Sequence, residues 1–272
     1  MGPRMLAHVL AIAAVAAIGL PFFWMLATSL KTPVDLAQYP PIWWPDVPRW
    51  ENYADAWRSA PFATFYWNSL VTSAIAAVLQ LLTALLMAYA FAFIAFPGKS
   101  VLFMAILATM MVPDEMKLVP NYILLSRLGW IDTWQALIVP PIAHAFPILV
   151  LYQRFRALPR ALIEAAAMDG ASHPRILFGI VAPLSRPAIA ATLLIAFLGR
   201  WNDYLWPLVA TNSESMRTLP VGLAYLRAGQ EGAIQWPVLM AGSVFVMIPV
   251  LVLFGLMQRQ FVDGMTQGAI KG

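Results

Sequence analysis

Five residues near the end of one apolar stretch could bind a polar molecule in hydrophobic surroundings. The stretch runs from Pro187 to about Pro207 and carries only two charged side chains past Pro187. The five residues supply a cation, an amide, a carboxylate and two aromatic rings: Arg200, Asn202, Asp203, Tyr204 and Trp206. On a helix, residues three apart share one face, so the cation and the carboxylate can pair. Such hydrogen-bonding and stacking groups suit a sugar or another polyol.

A second interpretation places the same residues at a membrane interface. Trp206 would then belong to an aromatic belt, and the aliphatic part of Arg200 would carry its charge out to water. Charged residues within a span usually face a bundle interior or a water-filled path. The two interpretations are compatible, because a substrate path has to open at that interface.

Other kinds of site chemistry find no support. The chain has no cysteine, which excludes disulfides and thiolate metal sites. His8, His144 and His173 are scattered and predict no metal site. No P-loop of the form GxxxxGKS or GxxxxGKT occurs, so we do not expect ATP binding by that route. We therefore predict a chain that is not an enzyme and has no cofactor of its own.

A segment between two apolar stretches has the pattern of a helical hairpin. Pro159 suits the first turn of a helix, and residues 161–168 are mostly strong helix formers. Gly170 then ends that helix. Ser172 can cap a second short helix, with Pro174 in its first turn. Alanines give the first helix a low profile that a partner protein could approach closely, although a plain connection between two spans is the simpler alternative.

The composition indicates that these segments belong to a membrane-embedded fold. Of the 272 residues, 61% are hydrophobic and 11% are charged, whereas soluble domains carry about 25% charged residues. A hydrocarbon core of about 30 Å requires roughly 20 apolar residues per helical span. We predict an all-α integral membrane protein with one domain over residues 1–272. Its six spans lie at about residues 5–30, 67–96, 100–120, 133–153, 187–207 and 236–257.

Three of these spans have features that bear on the prediction. The first could be a secretory signal, but its length favours a retained helix. The third is the weakest, because it is short and meets Pro113-Asp114-Glu115. In the fourth, His144 lies among prolines, and a proline-broken helix could line a cavity.

Basic residues indicate the orientation of the spans. With both termini in the cytoplasm, the cytoplasmic segments hold nine Lys and Arg residues and the outer loops hold seven. Five of the nine lie between Arg154 and Arg186, so the hairpin is predicted to form the main cytoplasmic loop, between spans four and five. In the first outer loop, Trp43, Trp44 and Trp50 predict an interfacial aromatic belt. Docking of an external binding protein is the functional alternative there.

The hairpin resembles the EAA loop of ABC importer permeases, whose pattern is EAA-x3-G-x9-I-x-LP. This chain has Glu164-Ala165-Ala166, Gly170, Ile180 and Ala182-Pro183 at that spacing, with Ala182 where leucine is usual. The resemblance implies a coupling helix that docks on a separate ATP-hydrolysing subunit. The coupling residues it implies are Glu164, Ala165, Ala166, Asp169, Gly170, Ile180 and Pro183.

The resemblance extends along most of the chain. Phe96–Lys99 and Trp201–Pro207 are similar to segments of carbohydrate-type permeases, and the tail Gly264–Gly272 is similar to that of the smaller, maltose-type subunit. The second permease of sn-glycerol-3-phosphate and glycerophosphodiester importers is similar at Trp201-Asn202, Tyr204-Leu205-Trp206-Pro207, Gly229-Gln230-Glu231-Gly232 and Met257-Gln258-Arg259. The implied location is the bacterial cytoplasmic (inner) membrane. The implied partners are a second homologous permease, a dimer of ATP-binding subunits that hold ATP and Mg, an extracytoplasmic substrate-binding protein and membrane lipid, but no nucleic acid.

Two rival functions and the substrate remain open at this level. An ion-coupled secondary transporter would require ionisable residues at mid-membrane and often an inverted repeat. A membrane enzyme would require converging catalytic groups, and none converges here. A phosphate-bearing substrate would favour cations such as Arg200 or Lys117, while a neutral oligosaccharide would mainly need aromatic and amide groups. The sequence contains both sets.

Overall fold

A computed structural model describes the backbone of residues 3–228 and 235–269, with side chains over 5–225 and 235–256. Every regular element in this part of the chain is helical, which confirms the all-α prediction. The helices before the hairpin are α1 (Pro3–Ser29), α2 (Pro33–Ala37), α3 (Glu51–Arg58), α4 (Phe62–Phe93), α5 (Lys99–Ala108), α6 (Asp114–Arg127), α7 (Trp134–Ile138) and α8 (Ala145–Arg156). From the hairpin onward they are α9 (Arg160–Met168), α10 (His173–Ile176), α11 (Ala182–Leu184), α12 (Arg186–Trp201), α13 (Leu205–Ala210), α14 (Leu219–Ala228) and α15 (Trp236–Ala269).

Three sets of predicted signature residues lie outside the described side chains. They are Gly229-Gln230-Glu231-Gly232, Met257-Gln258-Arg259 and the tail Gly264–Gly272.

Within the described residues, three helices are long and apolar enough to cross a membrane. Their apolar lengths are Met5–Ser29, Phe62–Phe93 and Trp236–Leu256. They correspond to the predicted first, second and sixth spans, although α4 begins at Phe62 instead of Trp67 and ends before Phe96. These lengths support a membrane protein with several spanning helices, while the full set of six spans stays a prediction.

The predicted third, fourth and fifth spans are each divided into two shorter helices. A 3-10 turn, Thr109–Met111, continues α5, and the first break covers residues 112–113, the second 139–144 and the third 202–204. Pro113 lies in the first break, and Pro140 and Pro141 lie in the second. Proline lacks a backbone donor and interrupts helical hydrogen bonding. At membrane depth, such irregular backbone is tolerated only where it is buried in protein or lines a cavity.

The described residues pack into two compact units, of which the first contains residues 3–65, 219–228 and 235–251. It includes Lys31, which follows the end of α1 and is almost completely buried. The Nζ of Lys31 donates to the carbonyl of Ile42 at 2.6 Å. The side-chain amide of Asn52 donates to the carbonyl of Lys31 at 2.9 Å. These bonds fix the connection between α1 and α3, because they give the buried amine of Lys31 and the buried amide of Asn52 hydrogen-bond partners.

The second unit contains residues 66–218 and 252–269 and includes all three breaks. The hairpin cluster joins the second half of α4 with α5, α8, α12 and the hairpin, around the buried residues Leu151 and Phe155. The Trp206 cluster joins α6, α7 and α13, around Leu125, Ala136 and Ala210. The two halves of each divided span therefore pack in different clusters.

Candidate functional site

The three breaks meet at one cavity of about 700 Å³ within the second unit. This volume lies in the range of sites for small molecules. Residues from every break contribute to its wall, including Val112, Pro141 and Asp203. The first turns of α6 and the end of α12 complete it. The breaks are thus explained by the cavity that they line.

An ion pair lies at the third break. Arg200 Nη1 is 3.0 Å from Asp203 Oδ2, and both side chains are largely buried. The other carboxylate oxygen of Asp203 accepts a hydrogen bond of 3.4 Å from the backbone N–H of Trp206. Asp203 therefore satisfies a donor at the start of α13, as an N-cap residue does.

Hydrogen bonds hold the cavity wall at the second and third breaks. The indole N–H of Trp206 donates to the carbonyl of Ala136 at 2.8 Å, which ties α13 to α7. The hydroxyl of Thr83 on α4 donates to the carbonyl of Ile142 at 2.6 Å. Side chains therefore satisfy carbonyls that the broken helices leave without intrahelical partners.

Asp132 fastens the segment after α13 to the loop between α6 and α7. Its carboxylate accepts bonds of 2.9 Å from the backbone N–H groups of Asn212 and Ser213. Its own N–H donates to the carbonyl of Ala210 at 2.8 Å. Burial raises the pKa of the Asp132 carboxyl, but the backbone hydrogen bonds outweigh burial and hold the pKa below its usual value. A charge-assisted clamp thus supports the Trp206 cluster.

The cavity includes three of the five residues predicted to form a substrate path. Arg200, Asp203 and Trp206 line it. Asn202 and Tyr204 are exposed at the same break and are not among its lining residues.

Sequence reasoning largely missed the contribution of α6 to the cavity. Asp114, Glu115 and Asn121 line it, as does Lys117, which the sequence suggested only as a partner for phosphate. Lys117 Nζ lies 2.6 Å from Asp114 Oδ1. Three charged residues directly after Pro113, within an apolar stretch, were the available signal. His144, which the prolines marked as a possible cavity residue, also lines the wall.

The hairpin has two helical parts separated by a glycine turn. Gly170 has φ +77°, a conformation that favours glycine. After α10 the chain continues through a π-helical turn, Leu177–Val181, into α11. The segment His173–Leu184 is bent by 89° from α12, so it runs nearly perpendicular to that predicted span.

Buried residues and two hydrogen bonds anchor the hairpin. Ile176, Leu177 and Val181 belong to the hairpin cluster. The buried Tyr89 on α4 has its hydroxyl 3.0 Å from His173 Nδ1. A guanidinium N–H of Arg154 donates to the carbonyl of Leu184 at 2.7 Å. The predicted docking segment is therefore attached directly to α4 and α8.

The predicted coupling residues divide by exposure. Glu164, Ala165, Asp169, Gly170 and Pro183 are exposed. Ala166 and Ile180 are half-buried, and Ala166 packs against the hairpin cluster, where it supports the segment. Exposed apolar residues that the sequence did not single out complete the surface: Leu162, Met168 and Phe178.

The chain has apolar helices of membrane length, a polar cavity at the breaks of three divided helices, and a hairpin fixed to the same helices. Together these features define a membrane transport component. The chain belongs to the family described as "binding-protein-dependent transport system inner membrane component", whose model matches residues 3–267. It is accordingly the permease subunit of an ABC importer, as the resemblance of the hairpin predicted, and not an enzyme.

Similar proteins cover nearly the whole chain. The sulfoquinovosyl glycerol transport system permease of Agrobacterium fabrum is 33% identical, covering 93% of this chain and 88% of its own length. The sn-glycerol-3-phosphate transport system permease of Pectobacterium atrosepticum is 32% identical, covering 97% and 96%. The arabinooligosaccharides transport system permease of Bacillus subtilis is 34% identical, covering 84% and 81%.

One solved structure supports both fold and family. A bacterial ABC transporter involved in the import of the acidic polysaccharide alginate includes a chain that is 25% identical, with a TM-score of 0.83. The match covers 95% of each chain.

Proposed function

We propose that this permease provides one part of an import pathway for a sugar or a glycerol-phosphate compound, and that the cavity at the three breaks belongs to that pathway. The observation that carries the proposal is the convergence of three divided helices on one polar cavity. Discontinuous helices form the substrate sites of many transporters, because their free backbone groups and helix ends can face a ligand. The names of the relatives include both substrate classes. A plain oligosaccharide is therefore the alternative to glycerol phosphate.

The proposed topology has six spans in the cytoplasmic membrane and both termini in the cytoplasm. Each divided pair counts as one span, and the hairpin lies between the fourth and fifth. At 1.5 Å per helical residue, Asp203 lies about 25 Å from Arg186 at the start of α12. In this topology the third break would lie toward the outer side of a hydrocarbon core of about 30 Å.

The proposed partners follow from surfaces that the chain leaves exposed. Over residues 5–26, α1 has no buried residue, and it exposes large side chains such as Ile12 and Val15. Lipid and a second, homologous permease would cover such a surface. The exposed hairpin would dock on one of two ATP-binding subunits, which hold ATP and Mg. An extracytoplasmic binding protein would deliver substrate; a solved alginate ABC transporter is in complex with a periplasmic protein that holds an alginate pentasaccharide.

The proposed path would open to one side of the membrane at a time through movement of the hairpin. Movement of an ATPase subunit would shift the hairpin, which is bonded to α4 through Tyr89 and to α8 through Arg154. Both helices contribute to the hairpin cluster, while α6, α7 and α13 pack separately. A relative displacement of the two clusters would change access to the cavity between the helix halves.

Co-purification with an active ATPase tests the proposal. The tagged chain should recover an ATP-hydrolysing subunit, and Glu164→Lys should reduce that recovery without loss of the chain from the membrane. Gly170→Pro should act in the same way, because proline cannot adopt φ +77°. Glu51→Lys, the same charge reversal at an exposed residue of α3, is the control. Equal recovery and equal substrate-stimulated hydrolysis in all variants would contradict the proposal.

A further inference from the structure

The charges around the cavity distinguish between the two substrate classes. We infer that the cavity passes uncharged polyhydroxylated compounds, such as oligosaccharides, and disfavours phosphate-bearing ones. This inference rests on the proposed function, in which the cavity belongs to the substrate path.

The cavity has no excess of positive charge. Its wall contains the carboxylates of Asp114, Glu115 and Asp203 and the permanent cations of Lys117 and Arg200. Three negative and two positive groups leave one negative charge in excess when the wall's histidine is neutral, and no net charge when it is protonated. No other Lys or Arg is among the lining residues in the part of the chain that the structure describes.

Each of the two cations already has a carboxylate partner. Lys117 pairs with Asp114 at 2.6 Å and Arg200 pairs with Asp203 at 3.0 Å. Both are i,i+3 pairs within one short segment, so a movement of one helix past another does not separate the partners. The first pair is largely exposed and contributes little stability. The second pair is more sheltered and holds Arg200 more firmly.

A phosphate group would therefore meet an unfavourable environment. An anion taken from water into a cavity needs cationic or multiple N–H partners. To supply one, Arg200 would have to leave Asp203, and the carboxylate would then lack its partner. Even with both ion pairs broken, the total charge of the wall would stay at or below zero.

An uncharged polyol meets complementary groups in the same cavity. Carboxylate oxygens accept hydrogen bonds from hydroxyl groups, and the amide of Asn121 can both donate and accept. Trp206 uses its indole N–H on Ala136. Its ring is thereby held in the wall and offers apolar surface for a sugar ring.

Charged thiol reagents measure the sign of this environment directly. Ala143 is exposed, lines the cavity and is close to cysteine in size, and the chain has no native cysteine. The Ala143→Cys permease, assembled with its partner subunits, is treated with cationic and anionic methanethiosulfonates of similar size. Both rates are divided by the rates with free cysteine in solution. We expect a cationic-to-anionic ratio of one or more. Asp114→Asn with Asp203→Asn should lower that ratio at least about fivefold, because two negative charges are removed near the thiol.

Protection by a phosphate compound provides a second readout. Excess glycerol 3-phosphate should not slow labelling of the Ala143→Cys thiol by a neutral reagent in the parent, but it should do so in the double Asn variant. A ratio below one in the parent, or protection of the parent by glycerol 3-phosphate, would overturn the inference and leave the proposed path intact. A thiol inert to every reagent would overturn the proposed path itself, and the inference with it. Should the double variant fail to assemble, the parent measurements still decide.

Discussion

At the residue scale, Gly222 on α14 is packed directly against an aromatic ring. A Cβ atom at this position would overlap the ring of the buried Phe65. We predict that Gly222→Ala destabilises the first unit by about 1–3 kcal/mol, as overpacking of a core does. The thermal unfolding midpoint of the purified permease should fall. Gly19→Ala is the matched control, because its added Cβ would have no atom within 4 Å apart from its chain neighbours and the backbone of its own helix. Equal midpoints in the two variants would contradict this packing.

The lowered pKa of Asp132 predicts that the stability of the folded protein decreases in acid. Its pKa in the folded protein lies below the ordinary value near 4, so its contribution is complete above that value. The contribution is lost as the pH falls through the lower, folded-state pKa. Asp132→Asn should weaken the clamp by about 1 kcal/mol at neutral pH and should remove this loss in acid.

Thermal midpoints between neutral pH and pH 3 test the clamp. The parent should lose more stability in acid than Asp132→Asn does. Glu214→Gln removes another acidic group nearby, and its carboxylate has no hydrogen bond within the described residues, so this control should behave like the parent. Parallel pH curves for the parent and Asp132→Asn would show that the clamp does not act through its charge.

At the element scale, the breaks show which features could be read from the sequence. The hairpin was predictable, because Pro159, Gly170 and Pro174 mark its parts through local backbone preferences. The Arg200–Asp203 pair was predictable from its spacing. The separation of each divided span into two clusters was not, because it depends on which short helices pack together. The role of α6 was obscured for the same reason, since Asp114 and Glu115 looked like the end of a span.

The bond between Tyr89 and His173 is the element-scale link from α4 to the hairpin. Tyr89→Phe removes the hydroxyl and retains the ring contacts with Phe93 and His173. We expect less substrate uptake per ATP hydrolysed, because a hydrogen bond of about 1 kcal/mol that positions the hairpin is lost. Assembly should persist, since the buried apolar contacts of the hairpin remain.

Tyr152→Phe is the control for this measurement. Tyr152 also packs against the hairpin cluster, and its hydroxyl has no hydrogen bond within the described residues. Uptake and hydrolysis are measured together in proteoliposomes that contain the complete transporter. If Tyr89→Phe and Tyr152→Phe give the same ratio of uptake to hydrolysis, the bond does not contribute to coupling.

At the scale of the whole molecule, the proposed topology predicts which side of the membrane each exposed segment faces. Ala167 on the hairpin should face the cytoplasm, and Val47 in the first outer loop should face outward. A membrane-impermeant thiol reagent should label Val47→Cys in intact spheroplasts and Ala167→Cys only in inverted vesicles. Neither residue is buried, so burial does not prevent either reaction. Labelling of Ala167→Cys from outside would contradict the proposed topology and would indicate the opposite orientation.

Composition and motif spacing were enough to predict a helical ABC permease, and the family match confirms it. The cavity required the structure, because its wall combines residues from three breaks that are far apart along the chain. Asn202 and Tyr204 show most clearly what the sequence could not reveal about the cavity. Both are polar and adjacent to Asp203, yet local spacing could not reveal that they are not among the residues lining the cavity.

The central claim is that the cavity at the three breaks belongs to the translocation path. The most direct test is the rate at which a neutral thiol reagent modifies Ala143→Cys in the assembled transporter, with and without trapped nucleotide. Ser126→Cys, exposed on α6 and outside the cavity, serves as the reference. The account predicts that the rate at position 143 changes with nucleotide state while the rate at position 126 does not. A reactive thiol at position 143 with the same rate in both states would contradict it.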